Sequence, residues 1–269
     1  MRRLIRFEDA YGMADLVCMT QDLGLITLIS NNDALLGVNE INESLKQDTF
    51  IECGVSFPSV LIPTNELIAN IKEYKIEELI IVYDMDAPNG AGILKHDILE
   101  IYLKTLRDGL DKQELRHVKI KLAPVVWAAE TLAICILKHD YTYIDGIKAI
   151  EATELVHAKN TAKLHGRIIK EILNENNASS SVKAKHLRHY INKNEIEEAL
   201  LDTLEQFPKS INKRVIKWII SGDIRELFDI QTAIKHQINI ENYYQRYKPT
   251  GNIEIIVNNQ AISLNKKCW

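Results

Sequence analysis

No apolar run in the 269 residues approaches the roughly 18 that a membrane span needs. The opening MRRLIRFEDAYG carries arginines but no apolar run ahead of its acids, so no secretory signal is expected. Cysteine is scarce. Cys18, Cys53, Cys135 and Cys268 are widely spaced and form no C-x-x-C pair. That argues against a disulfide framework or a zinc site, and points to reduced thiols in a cytoplasmic protein. There is no P-loop, no G-x-G-x-x-G after a strand, no G-x-S-x-G and no repeat of fixed period. If ATP is used, another chain binds it.

What remains is ordinary globular composition, 46% hydrophobic and 26% charged, enough for one large domain or two smaller ones. The net charge of −4 says little about partners. Its distribution says more. Residues 1–150 hold 15 basic against 23 acidic residues, and residues 151–269 hold 18 against 14. An acidic first half and a basic second half fit a metal-binding part joined to a nucleic-acid-facing one, although chance also produces such splits.

Four apolar stretches read as buried strands: RLIRFE (3–8), LITLIS (25–30), ELIIVYD (78–84) and HVKIKLAPVV (117–126). Helical spacing separates them, in DAYGMADLVCMTQDLG, in residues 31–47 with Asn32 or Asp33 as cap, in TNELIANIKEY behind Thr64, and in GILKHDILEIYLKTLRDGL. An apolar helix, AAETLAICILKH, follows the last strand. Continuous apolar strands alternating with helices predict an α/β domain with a parallel sheet over residues 1–142. Ligands of such sheets bind at the carboxyl ends of the strands, where Glu8, Ser30–Asn32, Asp84 and Asp86 fall. Residues 143–269 read instead as a helical domain with caps at Asn194, Ser210 and Asp223. It closes in a β-hairpin turning on Asn258–Asn259.

The stretch LIIVYDMDAPNGAG (79–92) draws the most attention. Two carboxylates one residue apart at a strand end can converge on one cation, and oxygen ligands suit Mg²⁺ or Mn²⁺. Glu8, at the end of another strand, is placed to complete such a set. Chance also yields D-x-D patterns on solvated turns.

An acid closing the first strand, a D-x-D closing a later one, and a glycine-containing turn opening a helix (DAPNGAGILK) resemble the TOPRIM domain. That domain occurs in topoisomerases, bacterial primases, small ribonucleases and the overcoming-lysogenization-defect nucleases. The resemblance covers roughly residues 3–138. It implies Glu8 as general acid or base or metal ligand, and Asp84 and Asp86 as holders of Mg²⁺. KLAPVVWAAETLAICIL is similar to some defence-associated members, with Trp127 and Glu130 in matching places and Glu130 as an extra acid. Two features depart from the pattern. Glycine follows Glu8 only at Gly12 and the next acid beyond Asp9 is Asp15, which leaves Glu8 and Asp9 both open as the functional acid. The D-x-D also lacks the arginine-containing continuation of topoisomerases. What the resemblance implies is a divalent-metal-dependent nuclease acting on DNA or RNA, an anti-phage or mobile-element context, and a separate ATPase partner. A homo-oligomer is left open.

The helical half adds cations. Lys159, Lys163, Arg167 and Lys170 share one helix face. Lys183, Lys185, Arg188 and Lys193 follow, then Lys209, Lys213, Arg214 and Lys217. With Lys95 after the D-x-D turn, these are candidate phosphate contacts, although a solvated helix face explains any one stripe as well. Tyr243, Tyr244 and Tyr247 could stack bases. His186 and His189 lie at a spacing that can share a metal, and His96 could approach a phosphate near Asp86. Two rival classes remain: an interaction or regulatory subunit with a degenerate metal site, and a phosphatase acting on a small ester.

Overall fold

A computed structural model describes residues 1–8, 12–23, 48–53, 55, 57–85, 94–126, 129–139, 191–246, 253–257 and 260–264. Four parallel strands form one sheet: β1 (Arg3–Phe7), β2 (Thr49–Glu52), β3 (Glu78–Asp84) and β4 (Lys119–Val125), in the order β2-β1-β3-β4. Their helices are α1 (Gly12–Thr20), α2 (Asn65–Glu73), α3 (His96–Lys112) and α4 (Ala129–Lys138). The chain is therefore of the α/β class. Three of the four strands expected from apolar runs are present. β2 was not expected, and the expected strand at 25–30 and the helix after it lie outside the described residues.

Alternation along the strands sends side chains to opposite faces. Ile5, Phe7, Ile51, Ile80, Val82, Ala123 and Val125 enter one core with α1 and α4. Leu4, Phe50, Leu79, Ile81, Tyr83, Ile120 and Leu122 enter the other with α2 and α3. α3 belongs there because Leu99, Leu103, Leu106 and Leu110, spaced four, three and four, are all fully buried. Each is worth about 1.5–3 kcal/mol, as an upper estimate. α2 starts where Thr64 accepts a hydrogen bond from the Leu67 N–H.

The later helices are α5 (Lys193–Gln206), α6 (Lys213–Ser221) and α7 (Ile230–Arg246). They pack into the same two cores: α5 and α6 against α1 and α4, α7 against α3 and β4. The boundary expected at 142/143 lies outside the described residues.

Details of the caps differ from expectation. α5 is capped by Asn192, not Asn194. Asn192 Oδ1 accepts from Glu195 N–H, and Glu195 Oε2 accepts from Asn192 N–H, a reciprocal box that needs an acid three residues on. Asp223, expected as a helix cap, does not open the helix that follows. Asp223 caps a single 3₁₀ turn (Ile224–Glu226), Phe228 pairs with Leu122 on the edge of β4, and α7 begins afterwards. β5 (Ile253–Val257) and β6 (Gln260–Leu264) pair antiparallel, with Val257 opposite Gln260.

Candidate functional site

The strand order decides where a ligand can enter. The helix after β1 packs on one face of the sheet, and the helix after β3 packs on the other. The chain therefore diverges from the carboxyl ends of two adjacent strands. That divergence is the switch point at which open parallel sheets bind ligands.

Glu8 follows β1 directly, and Asp84 is the last residue of β3. The structure brings them together. Glu8 N–H donates to Val82 O at 2.9 Å, and Glu8 Oε2 accepts from the Asp84 N–H at 2.9 Å. Both residues are half-buried. Tyr83, next to Asp84 in the chain, is fully buried, its ring tilted 40° to that of Phe57 with 6.4 Å between centroids. Burial, and after it the negative charge of Glu8, push its phenol well above the usual range, so it stays neutral.

Past Asp84, Met85 N–H donates to Val125 O at 3.0 Å, and Met85 O accepts from Leu94 N–H at 3.0 Å. Asp9, Asp86 and Trp127 lie outside the described residues. So do Lys163, Arg167, Lys170, Lys185, Arg188, His186 and His189. Glu130 is the second residue of α4, and its side chain lies outside the description, as do those of Tyr243 and Tyr244.

Several other candidates have structural partners. His96, read as a phosphate neighbour, has Nδ1 at 3.1 Å from both Glu241 oxygens. Arg214 donates through Nε to Glu226 O and through Nη2 to Leu227 O, and its guanidinium lies 4.2 Å from the Phe228 ring centre. It holds the 3₁₀ turn and β4's edge together. Lys217 is 3.6 Å from Glu226, and Lys193 is 2.6 Å from Asp22. Lys95 is exposed at the cap position of α3, and Lys213 is half-buried at the start of α6.

A buried ion pair on β1 and β2 had no signal in the sequence pattern. Arg6 and Glu52 are cross-strand partners on β1 and β2, both almost fully buried, joined through Nε and Nη2. Arg6 Nη1 also donates to Val60 O at 2.8 Å. Burial raises the Glu52 carboxyl, and the charge and hydrogen bonds of Arg6 oppose that rise. A charge at the third or fourth place of a four-residue run reads as an exposed position unless its partner is known.

An oxygen-only donor set at Glu8 and Asp84 fits a hard cation such as Mg²⁺. Among the described residues no group of three or more His, Cys, Asp or Glu is placed to hold a metal ion. Among those residues, too, no helix is long and apolar enough to cross a membrane. No family model, curated protein or solved structure matches the chain.

Proposed function

We propose that the chain is a TOPRIM-like, divalent-metal-dependent nuclease whose reaction centre is the Glu8–Asp84 corner. The observation that carries this reading is the hydrogen bond from the Asp84 N–H to Glu8 Oε2 at the switch point of the parallel sheet. Asp84 and Asp86 would hold Mg²⁺ or Mn²⁺, with Glu130 as an additional acid. The bound ion would supply an activated water and stabilise charge developing on a phosphate. Glu8 would move a proton or complete the metal shell, while its bond to the Asp84 main chain orients the carboxylate. Lys95 and Lys213, with the basic run from Lys163 to Arg188, would contact the DNA or RNA backbone. Arg214 leaves this set because its guanidinium is engaged by carbonyls and Phe228. A separate ATPase and a role in anti-phage or mobile-element systems belong to the same proposal.

The test is incubation of supercoiled plasmid, single-stranded DNA and tRNA with Mg²⁺ or Mn²⁺, with Asp84→Asn and Asp86→Ala alongside. Cleavage that needs metal and disappears in both variants is the expected result. Undiminished cleavage in Asp84→Asn, or equal Mn²⁺ binding by wild type and both variants, would sink the reading.

A further inference from the structure

We propose that Glu241, Gln237 and Asn212, all from the C-terminal helices, are positioning residues for the Glu8–Asp84 corner. The inference rests on the metal-site reading of that corner. None of the three side chains contacts Asp84 directly in the bonds described. They act on the backbone around it, along two routes that converge on Met85.

The first route runs from α7. Met85 O accepts from Leu94 N–H, so Leu94 is where the chain returns to the sheet end. The carbonyl of Leu94 accepts in turn from Gln237 Nε2 at 2.5 Å, and both residues are fully buried. Two residues on, His96 N–H donates to Glu241 Oε1 at 2.5 Å, with the His96 ring against both Glu241 oxygens. Lys95 makes no side-chain cap at this end of α3. Glu241 therefore satisfies an otherwise orphaned amide, from another helix, and its charge suits the positive end of α3.

The second route runs from α6. Met85 N–H donates to Val125 O. The next residue, Val126, is gripped on both main-chain atoms by the Asn212 carboxamide. Val126 N–H donates to Oδ1 at 2.9 Å, and Nδ2 donates to Val126 O at 2.6 Å. Asn212 is fully buried at the cap position of α6, yet its side chain makes no cap bond. The carboxamide prolongs β4 by one strand-like pair instead of capping its own helix.

Met85 is thus fixed at its N–H and at its C=O, and Asp84, next to it, is fixed at its N–H by Glu8. A carboxylate site works only when its backbone is held to within about 0.5 Å. Outer partners of metal ligands are worth about 10- to 100-fold in affinity.

Glu241 is the residue to test, since its side chain is 15% exposed and its loss threatens the fold least. In the full chain, Glu241→Ala and Glu241→Gln would be compared with wild type and Asp84→Asn. Two quantities would be read: amide hydrogen exchange, and Mn²⁺ affinity by paramagnetic titration. Glu241→Ala should speed exchange at Met85 and Leu94 about tenfold or more while Ile5 and Ile80 keep their protection. It should weaken Mn²⁺ binding about 10- to 100-fold. Glu241→Gln keeps an oxygen for the His96 N–H and should recover most of both effects. An exchange increase shared equally by Ile5 and Ile80 overturns the proposal, as does no increase at Met85 and Leu94. Unchanged Mn²⁺ affinity in Glu241→Ala, where Asp84→Asn abolishes binding, overturns it too. Equal binding by wild type and Asp84→Asn defeats the metal reading instead, and the local exchange pattern still decides whether α7 positions the corner.

Discussion

His236 makes the stability of this protein depend on pH in a window that can be worked out. Its ring stacks on Phe228, 4.5 Å between centroids and 29° apart, while Arg214 lies over the same phenyl ring. The Nε2 atom is sealed from solvent with no hydrogen-bond partner among the described residues. Burial first, and the Arg214 charge second, lower the imidazole from 6.5 to about 4. Between those two values the unfolded chain binds more protons than the folded one, so stability rises with pH across the window. Above pH 6.5 the group is neutral in both states and has no effect. As pH falls the penalty grows, and it is complete once the folded form also protonates. At about 1.4 kcal/mol per pH unit the full loss is about 3.5 kcal/mol, an upper bound because the ring is partly exposed. By pH 4.5 roughly 2.5 kcal/mol of it should be present. The assay is urea unfolding of wild type and His236→Phe, which keeps the stack, at about pH 7.5 and about pH 4.5. The carboxylates titrate alike in both proteins, so the difference between the two isolates this residue. Wild type should lose at most about 2.5 kcal/mol more than the variant on acidification. Equal losses in both would refute the account of His236.

Two further perturbations test the packing around the sheet. Arg6→Ala or Glu52→Ala strands a buried charge and should cost about 3–5 kcal/mol, while Arg6→Met with Glu52→Leu should recover most of it. A urea double-mutant cycle in which the single costs simply add would contradict that. Gly109→Ala should destabilise despite a helix-propensity gain of about 1 kcal/mol. Its Cβ would lie 2.4 Å from Pro63 Cγ and 2.7 Å from Pro63 Cβ. Overpacking of that kind costs about 1–3 kcal/mol. A higher Tm in the variant would mean that the Pro63 segment yields freely.

What could be read from the sequence follows from how local each signal was. ELIIVYD announces a doubly buried strand because six consecutive residues are buried on one face or the other. The four leucines of α3 announce a helix by spacing alone. TFIE announces nothing. Four residues are too short for a pattern, and the charge of Glu52 is buried only because Arg6 meets it 46 positions earlier. The same holds for GDIRELFD, whose helical spacing yields to the pairing of Phe228 with Leu122. At the candidate site, Glu8 and Asp84 were legible as acids at strand ends. Their hydrogen bond was not, since it depends on β1 and β3 being neighbours, and strand order is a tertiary fact. His96 was misleading for the opposite reason. It lies close to the D-x-D in sequence, but Glu241, 145 residues away, takes its ring and its amide.

Two acids of the sheet pair with arginines on the neighbouring strand. Glu78, at the amino end of β3, lies 3.3 Å from Arg3, its partner across the strand pair. Glu52, at the carboxyl end of β2, has Arg6. Each pair sets opposite charges side by side within the sheet. At the corner, Glu8 turns an oxygen to the main chain of Asp84, where the chain divides to opposite faces. Two acids placed there serve either the structure alone or a cation. Asp84→Asn separates the two cases without any assay of cleavage. If the corner is structural, the substitution should shift Tm by the same amount with and without Mg²⁺. If it is a cation site, the same substitution should abolish a Mg²⁺-dependent rise in Tm that wild type shows. A wild-type Tm indifferent to Mg²⁺ and Mn²⁺ at millimolar concentration would leave the acids without the role proposed for them.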